Sequence, residues 1–129
     1  KSASSIKVVV GTNSLSKGGV TYNVDMVIPN RDYNPAAFAN DIGLLRVEVE
    51  IEFNEKVKPI ALPSGDFEHE DYPAVLSGWG STRLGGAAPD KLQELDLKII
   101  AQSKCKTVHG MITADHICTL TKVGEGACH

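Results

Sequence analysis

Short apolar runs, each closed by glycine, proline or asparagine, dominate this chain and leave little room for helix. Ile6-Lys-Val-Val-Val10 is β-branched and stops at Gly11-Thr-Asn13. It reads as a strand and a turn, because branched side chains fit a pleated surface while glycine and asparagine supply the turn backbone. Val20 to Ile28 alternates roughly, with Tyr22, Val24 and Met26 on one face and Pro29-Asn30 ending the run. Ile42-Gly-Leu-Leu-Arg-Val47 is compact and apolar, the pattern of a buried strand. Val57 to Pro63 holds two prolines, which disfavour a helix and predict extended chain. Ala74-Val-Leu-Ser-Gly-Trp-Gly80 reads as a strand whose glycines admit close backbone approach. Leu95, Leu97 and Ile99 alternate with Asp96, Lys98 and Ile100, as on a half-buried strand, and His116 to Leu120 is another strand. The one predicted helix is a short turn starting near Gln102-Ser103, with Ser103 as its cap. Short strands recurring roughly every 8–15 residues predict an all-β sandwich or barrel.

Composition narrows the function. Thirteen Lys and Arg against sixteen Asp and Glu leave a net charge of −3, which gives no electrostatic reason to expect nucleic acid or an anionic membrane as partner. Hydrophobic residues make up 42% of the 129 positions, an ordinary globular content, and length alone fits one domain. No apolar run approaches the ~20 residues of a membrane span. The first residues, Lys1-Ser-Ala-Ser-Ser-Ile-Lys7, lack the apolar core of a signal peptide. Two segments interrupt the strand rhythm. Pro63 to Asp71 is polar and acidic, as in a linker, and Ser81 to Asp90 is a glycine-rich loop accessible to proteases.

Neither a phosphate-binding glycine loop, nor a dinucleotide fingerprint, nor a His-Glu-x-x-His pair occurs. Three cysteines, Cys105, Cys118 and Cys128, crowd the last quarter of the chain. An odd number leaves a free thiol, an intermolecular pair or a missing partner. Cys105 and Cys118 can pair if their Cα atoms come within ~7 Å. Cys128 lies one residue from the end, which suggests that the chain is a piece of a longer one. The spacings Cys105-x₃-His109 and His116-x-Cys118 match no structural zinc template, and the acidic stretch Asp66, Glu68, Glu70, Asp71 lacks the alternating ligands and central glycine of a calcium loop. No metal site and no cofactor are expected.

At Asn40-Asp41-Ile-Gly-Leu-Leu45 and at Leu76-Ser-Gly-Trp-Gly80 the sequence resembles the chymotrypsin-like, trypsin-fold serine proteases. The likeness continues through Val57-Lys-Pro-Ile-Ala-Leu-Pro63, Leu92-Gln-Glu-Leu95, Ile117-Cys-Thr119 and Gly124-Glu-Gly-Ala-Cys-His129, in family order and spacing. The resemblance implies an all-β fold of two antiparallel six-stranded barrels, of which this chain holds parts. Residues 1–62 would belong to the N-terminal barrel, and residues 63–129 to the inter-barrel linker and the C-terminal barrel. The family's Ala-Ala-His-Cys block would lie upstream and its Gly-Asp-Ser-Gly-Gly-Pro block just after His129, so the catalytic Ser and His are expected outside this chain.

In that family a Ser nucleophile, a His base and a buried Asp that orients the imidazole act as a unit. The resemblance assigns the Asp role to Asp41. An acid entering an apolar strand is costly to bury without a hydrogen-bonding partner, although an Asp at a strand start is otherwise a common turn residue. The substrate-binding region is carried over to Gly126, Ala127, Cys128 and His129, with Gly126 at the pocket base where trypsin-like members place Asp. A neutral base implies a preference for a large apolar or aromatic side chain, because nothing there would offset the burial of a cation. Glu125 adjoins this position and is expected to face solvent. The resemblance also pairs Cys105 with Cys118 and gives Cys128 a partner beyond the chain. Asn13 to Gly19 lies where calcium-binding members carry acidic ligands; it has none, and Lys17 adds a positive charge. None of His69, His109, His116 and His129 sits in a block like that of the catalytic histidine. The implied parent is a secreted endopeptidase, activated from a zymogen and monomeric, with protein substrates and protein protease inhibitors as partners. The alternative is an inactive protease homologue that acts as a binding or adaptor protein, and a free-standing small β domain is a third. The isolated 129-residue chain, without nucleophile and base, is predicted to be inactive.

Overall fold

In the computed structural model, residues 2–65 and 70–126 are described, and they form two three-stranded antiparallel sheets with little helix. The chain divides into two compact units, Lys1–Leu62 and Pro63–His129.

In the first unit a single 3₁₀ turn, Ala3–Ser5, leads into β1 (Lys7–Val10), β2 (Val20–Pro29) and β3 (Gly43–Val47), with β2 central. Val8 faces Tyr22 across the ladder and Val27 faces Leu45. Tyr22 and Val24 are the buried hydrophobes of this unit, Val24 at 3% exposure, and the Tyr22 hydroxyl accepts the Glu52 N–H at 3.1 Å. Met26 does not share their face. A register shift between Val24 and Met26 inserts Asp25 as an extra residue, and Met26 is 39% exposed. Inserting one residue reverses the alternation beyond it, which simple period-2 reading cannot foresee. Asp25 itself reaches Arg46 on β3 with two parallel contacts, Nε to Oδ1 and Nη2 to Oδ2, both 2.9 Å.

The Ile42–Val47 run is not buried: Leu44 is 64% exposed. β3 is an edge strand of the sheet, paired on one side only, to β2. The Val57–Pro63 segment forms neither helix nor named strand, apart from an isolated bridge between Asn54 and Val57.

Two hydroxyls brace the β1–β2 connection, Thr12 Oγ1 and Ser14 Oγ, the latter accepting the Lys17 N–H at 3.2 Å. Thr12 Oγ1 accepts the Ser14 N–H at 3.0 Å and donates to the Lys17 carbonyl at 2.9 Å. At its end Gly19 adopts φ +77°, with the Val10 carbonyl 2.7 Å from where a Cβ would stand. Replacing Thr12 by isosteric valine deletes both bonds and should cost about 1 kcal/mol. In the full-length protein that reads as a fall of about 2–4 °C in Tm. Excess EDTA should leave Tm unchanged, and a chelator-dependent drop would show that a cation organises this loop after all.

In the second unit β4 (Pro73–Gly78), β5 (Gln93–Ile100) and β6 (Cys118–Leu120) form the other sheet, with β5 central. The alternation of β5 is as expected: Leu97 and Ile99 are buried while Asp96 and Lys98 are exposed. Helix α1 (Gln102–Lys106) follows directly. Its capping residue is Ala101, not Ser103, and no side chain bonds the helix start. Ser103 falls one step inside the first turn, where its hydroxyl is not placed to cap. The glycine-rich loop after β4 is also tied. The Trp79 indole N–H donates to the Asp90 carbonyl at 3.1 Å, and the Gly86 N–H donates to the Arg83 carbonyl at 3.0 Å. At the end of the acidic stretch Glu70 pairs with Lys104 of α1, and the Asp71 N–H donates to the Ile99 carbonyl at 2.8 Å. Asp66, Glu68 and His69 lie outside the described residues.

Candidate active site

Asp41 occupies the middle of a three-residue turn immediately before β3, where the Ile42 N–H donates to the Asn40 carbonyl at 2.9 Å. The Ile42 carbonyl in turn accepts the Asn30 N–H at 3.1 Å, which anchors the turn to the end of β2. The Asp41 side chain is exposed, contrary to the burial expected of a triad acid. The strand it introduces is itself uncovered within this unit, so the carboxylate remains in water and avoids the desolvation cost.

Behind Asp41 the chain between β2 and β3 is closed at successive levels. Asn34 and Ala39 form an isolated antiparallel bridge, and the Asn40 side-chain amide donates to the Asp32 carbonyl at 3.0 Å. Two non-glycine residues here have left-handed backbone, Phe38 at φ +50° and Asn40 at φ +56°. Asn40 stands beside Asp41 in the motif and carries no role that its identity alone announces. Its one available signal was asparagine's tolerance of the left-handed region.

In the second unit Gly126 has φ +151°, a conformation open to glycine, and nothing lies within 4 Å of a Cβ built there. Glu125 pairs with Lys122, whose Nζ is 2.9 Å from Oε1. Ala127, Cys128 and His129 lie outside the described residues. Cys105 of α1 and Cys118 of β6 form a disulfide with their Cα atoms 6.2 Å apart, which leaves neither sulfur for a metal. No group of three or more His, Cys, Asp or Glu among the described residues is placed to hold a metal ion.

Two ion pairs shift the ionisation of their members. The Arg46 guanidinium hydrogen-bonds Asp25 and holds its carboxyl below the usual range, while Asp25 raises Arg46 in return. Glu70, through its hydrogen bond, raises Lys104. A hollow of about 400 Å³ opens beside α1, with Ile99, Gln102, Lys106, His116 and Cys118 in its lining. Neither Gly126 nor Glu125 is in its lining. His116 Nδ1 accepts the Thr113 N–H at 3.1 Å, consistent with a structural place in the loop after α1 and not with the base of a triad.

The family model described as Trypsin matches residues 1–129. Chymotrypsin-2 of Vespa crabro is 40% identical over 128 residues, covering 99% of this chain and 59% of that protein. Trypsin alpha-4 of Lucilia cuprina is 33% identical over 131 residues, covering 98% of this chain and 51% of that protein. The chain thus spans little more than half the length of these curated relatives. A solved structure described as "Structure of GrC" superposes with a TM-score of 0.85 at 26% identity, covering 94% of this chain and 56% of that one. A matching family model over the whole sequence, together with an all-β architecture shared with a solved relative, places this chain in the trypsin family of chymotrypsin-like serine proteases.

Proposed function

We propose that this chain is part of a secreted serine endopeptidase that hydrolyses peptide bonds after large apolar or aromatic residues, with Asp41 as the acid of a Ser-His-Asp triad. The observation that carries the reading is the family match over all 129 residues, within which Asp41 stands in Asn40-Asp41-Ile-Gly-Leu-Leu45. Residues 1–62 would contribute to the N-terminal barrel and residues 63–129 to the linker and C-terminal barrel. Ser and His would come from other parts of the protein. The Asp41 carboxylate would accept the imidazole's second N–H, fix its tautomer and stabilise the imidazolium formed as the Ser proton is taken. Fixed backbone N–H groups near the Ser would receive the developing oxyanion without reorganising.

Gly126, Ala127, Cys128 and His129 would form the base and near wall of the pocket for the residue before the scissile bond. With glycine at its base and Glu125 paired to Lys122, the described part of this region offers no carboxylate to a substrate Lys or Arg. Burying a cation against a neutral base carries an unreturned desolvation cost. Peptide substrates profiled on the full-length enzyme should therefore show kcat/KM at least about 100-fold higher after Phe, Tyr or Leu than after Arg or Lys, the discrimination expected when a charge is buried unpaired. Preferred cleavage after Arg or Lys would overturn the pocket assignment and leave the family membership intact.

A further inference from the structure

We propose that Asn40 is a positioning residue for the Asp41 carboxylate, acting through the fixed turn on which that carboxylate is mounted. The inference rests on the reading of Asp41 as the triad acid and adds a residue to its machinery.

Three observations converge on Asn40. Its backbone lies at φ +56°, in the region where a Cβ is crowded and asparagine is among the few residues that settle readily. Its carbonyl accepts the Ile42 N–H at 2.9 Å, which makes Asp41 the middle residue of a tight turn. Its side-chain amide donates to the Asp32 carbonyl at 3.0 Å and ties that turn to a chain segment eight residues earlier. Asn40 therefore grips both sides of Asp41: its own peptide sets the direction in which the next residue leaves, and the amide bond keeps that peptide from rotating. Asn30, donating to the Ile42 carbonyl at 3.1 Å, fixes the far side. The hydrogen-bonded turn is the support for Asp41 that this unit supplies. Unusual backbone held by surrounding bonds is expected where a side chain must be aimed, and small errors of aim weigh heavily on a catalytic group.

Two substitutions in the full-length protease separate the parts of this device. Asn40→Gly keeps the left-handed backbone without steric cost and deletes only the amide. It should lower kcat about 10-fold. Asn40→Ala also disfavours the backbone and should lower kcat by up to about 100-fold, the penalty of a misplacement near 1 Å. In both, KM should change little. The acidic limb of the kcat/KM profile should move to lower pH, because a less well aimed carboxylate stabilises the imidazolium less. Rates are normalised to active-site concentration, so loss of folded protein does not imitate the effect. If Asn40→Ala does not fold, Asn40→Gly decides alone. Unchanged kcat and an unchanged acidic limb in Asn40→Gly overturn the proposal, provided that Asp41→Asn in the same enzyme is severely impaired. An unimpaired Asp41→Asn would instead remove the triad reading on which the proposal stands.

Discussion

Asp41→Asn is expected to lower kcat of the full-length protease by about 10⁴-fold, the scale of this replacement in serine-protease triads, while KM stays close to its original value. Asparagine has nearly the volume of aspartate, so the turn before β3 keeps its shape. Its amide, however, is neutral, and its N–H₂ end donates where the imidazole N–H needs an acceptor. The base is then held in the wrong tautomer, and the positive charge that develops on it has no partner. Because its turn is closed by backbone bonds and by the Asn40 amide, the substitution should leave the fold of this segment intact. A loss of kcat with KM and Tm little changed is the signature of a group needed for the chemical step and not for binding or folding. Tenfold or less would mean that another carboxylate serves the histidine.

How much of this could be seen beforehand differs from element to element, for physical reasons. β5 was legible because one face is buried and the other wet, so Leu95, Leu97 and Ile99 alternate with charged neighbours. β2 was legible as a strand, but the side of Met26 was not, since the bulge that displaces it leaves no mark in side-chain pattern. The apolar run after Asp41 suggested burial, yet its side chains are exposed within their own unit. Hydrophobicity records that a partner surface is wanted and does not say whether these residues supply it. For α1 the helix was foreseen and its cap was not: Ser103 looks like a cap by identity, but Ala101 holds that position. Asp41 could be singled out only through the motif around it, because an Asp at a strand start is ordinary. The grip of Asn40 was illegible, because the sign of φ and the reach to the Asp32 carbonyl exist only in three dimensions. Among the cysteines, spacing left several pairings open, and the 6.2 Å Cα separation selects Cys105 with Cys118.

That disulfide carries the second large effect. Replacing both cysteines by alanine in the full-length protein should cost about 3 kcal/mol, the loop-closure stabilisation of a ring this size if the bond is unstrained. For a protein of roughly 150–250 residues or slightly more, this corresponds to a fall of about 6–12 °C in Tm. The second unit has few other ties at this place. Its buried hydrophobes among the described residues are Leu97, Ile99 and Cys118 itself, which stands opposite Ile100 at 5% exposure. β6 has three residues and one ladder, to β5. Apart from the bridge, Gln102 holds the returning chain by donating from Nε2 to the Ala114 carbonyl at 3.0 Å and the His116 carbonyl at 2.5 Å. These bonds are worth about 1 kcal/mol each at most, so they cannot replace the cross-link. The two ends of the bridge should also differ. Cys118→Ser puts a hydroxyl into a buried site, whereas Cys105 is only half-buried. The Cys118 variant should therefore be the less stable by about 1 kcal/mol or more. Thermal unfolding of the two single variants measures that difference. Equal Tm values would show that lost chain restriction accounts for the whole effect, and a double variant as stable as the parent would show that Gln102 and the β5–β6 ladder secure the loop without the bridge.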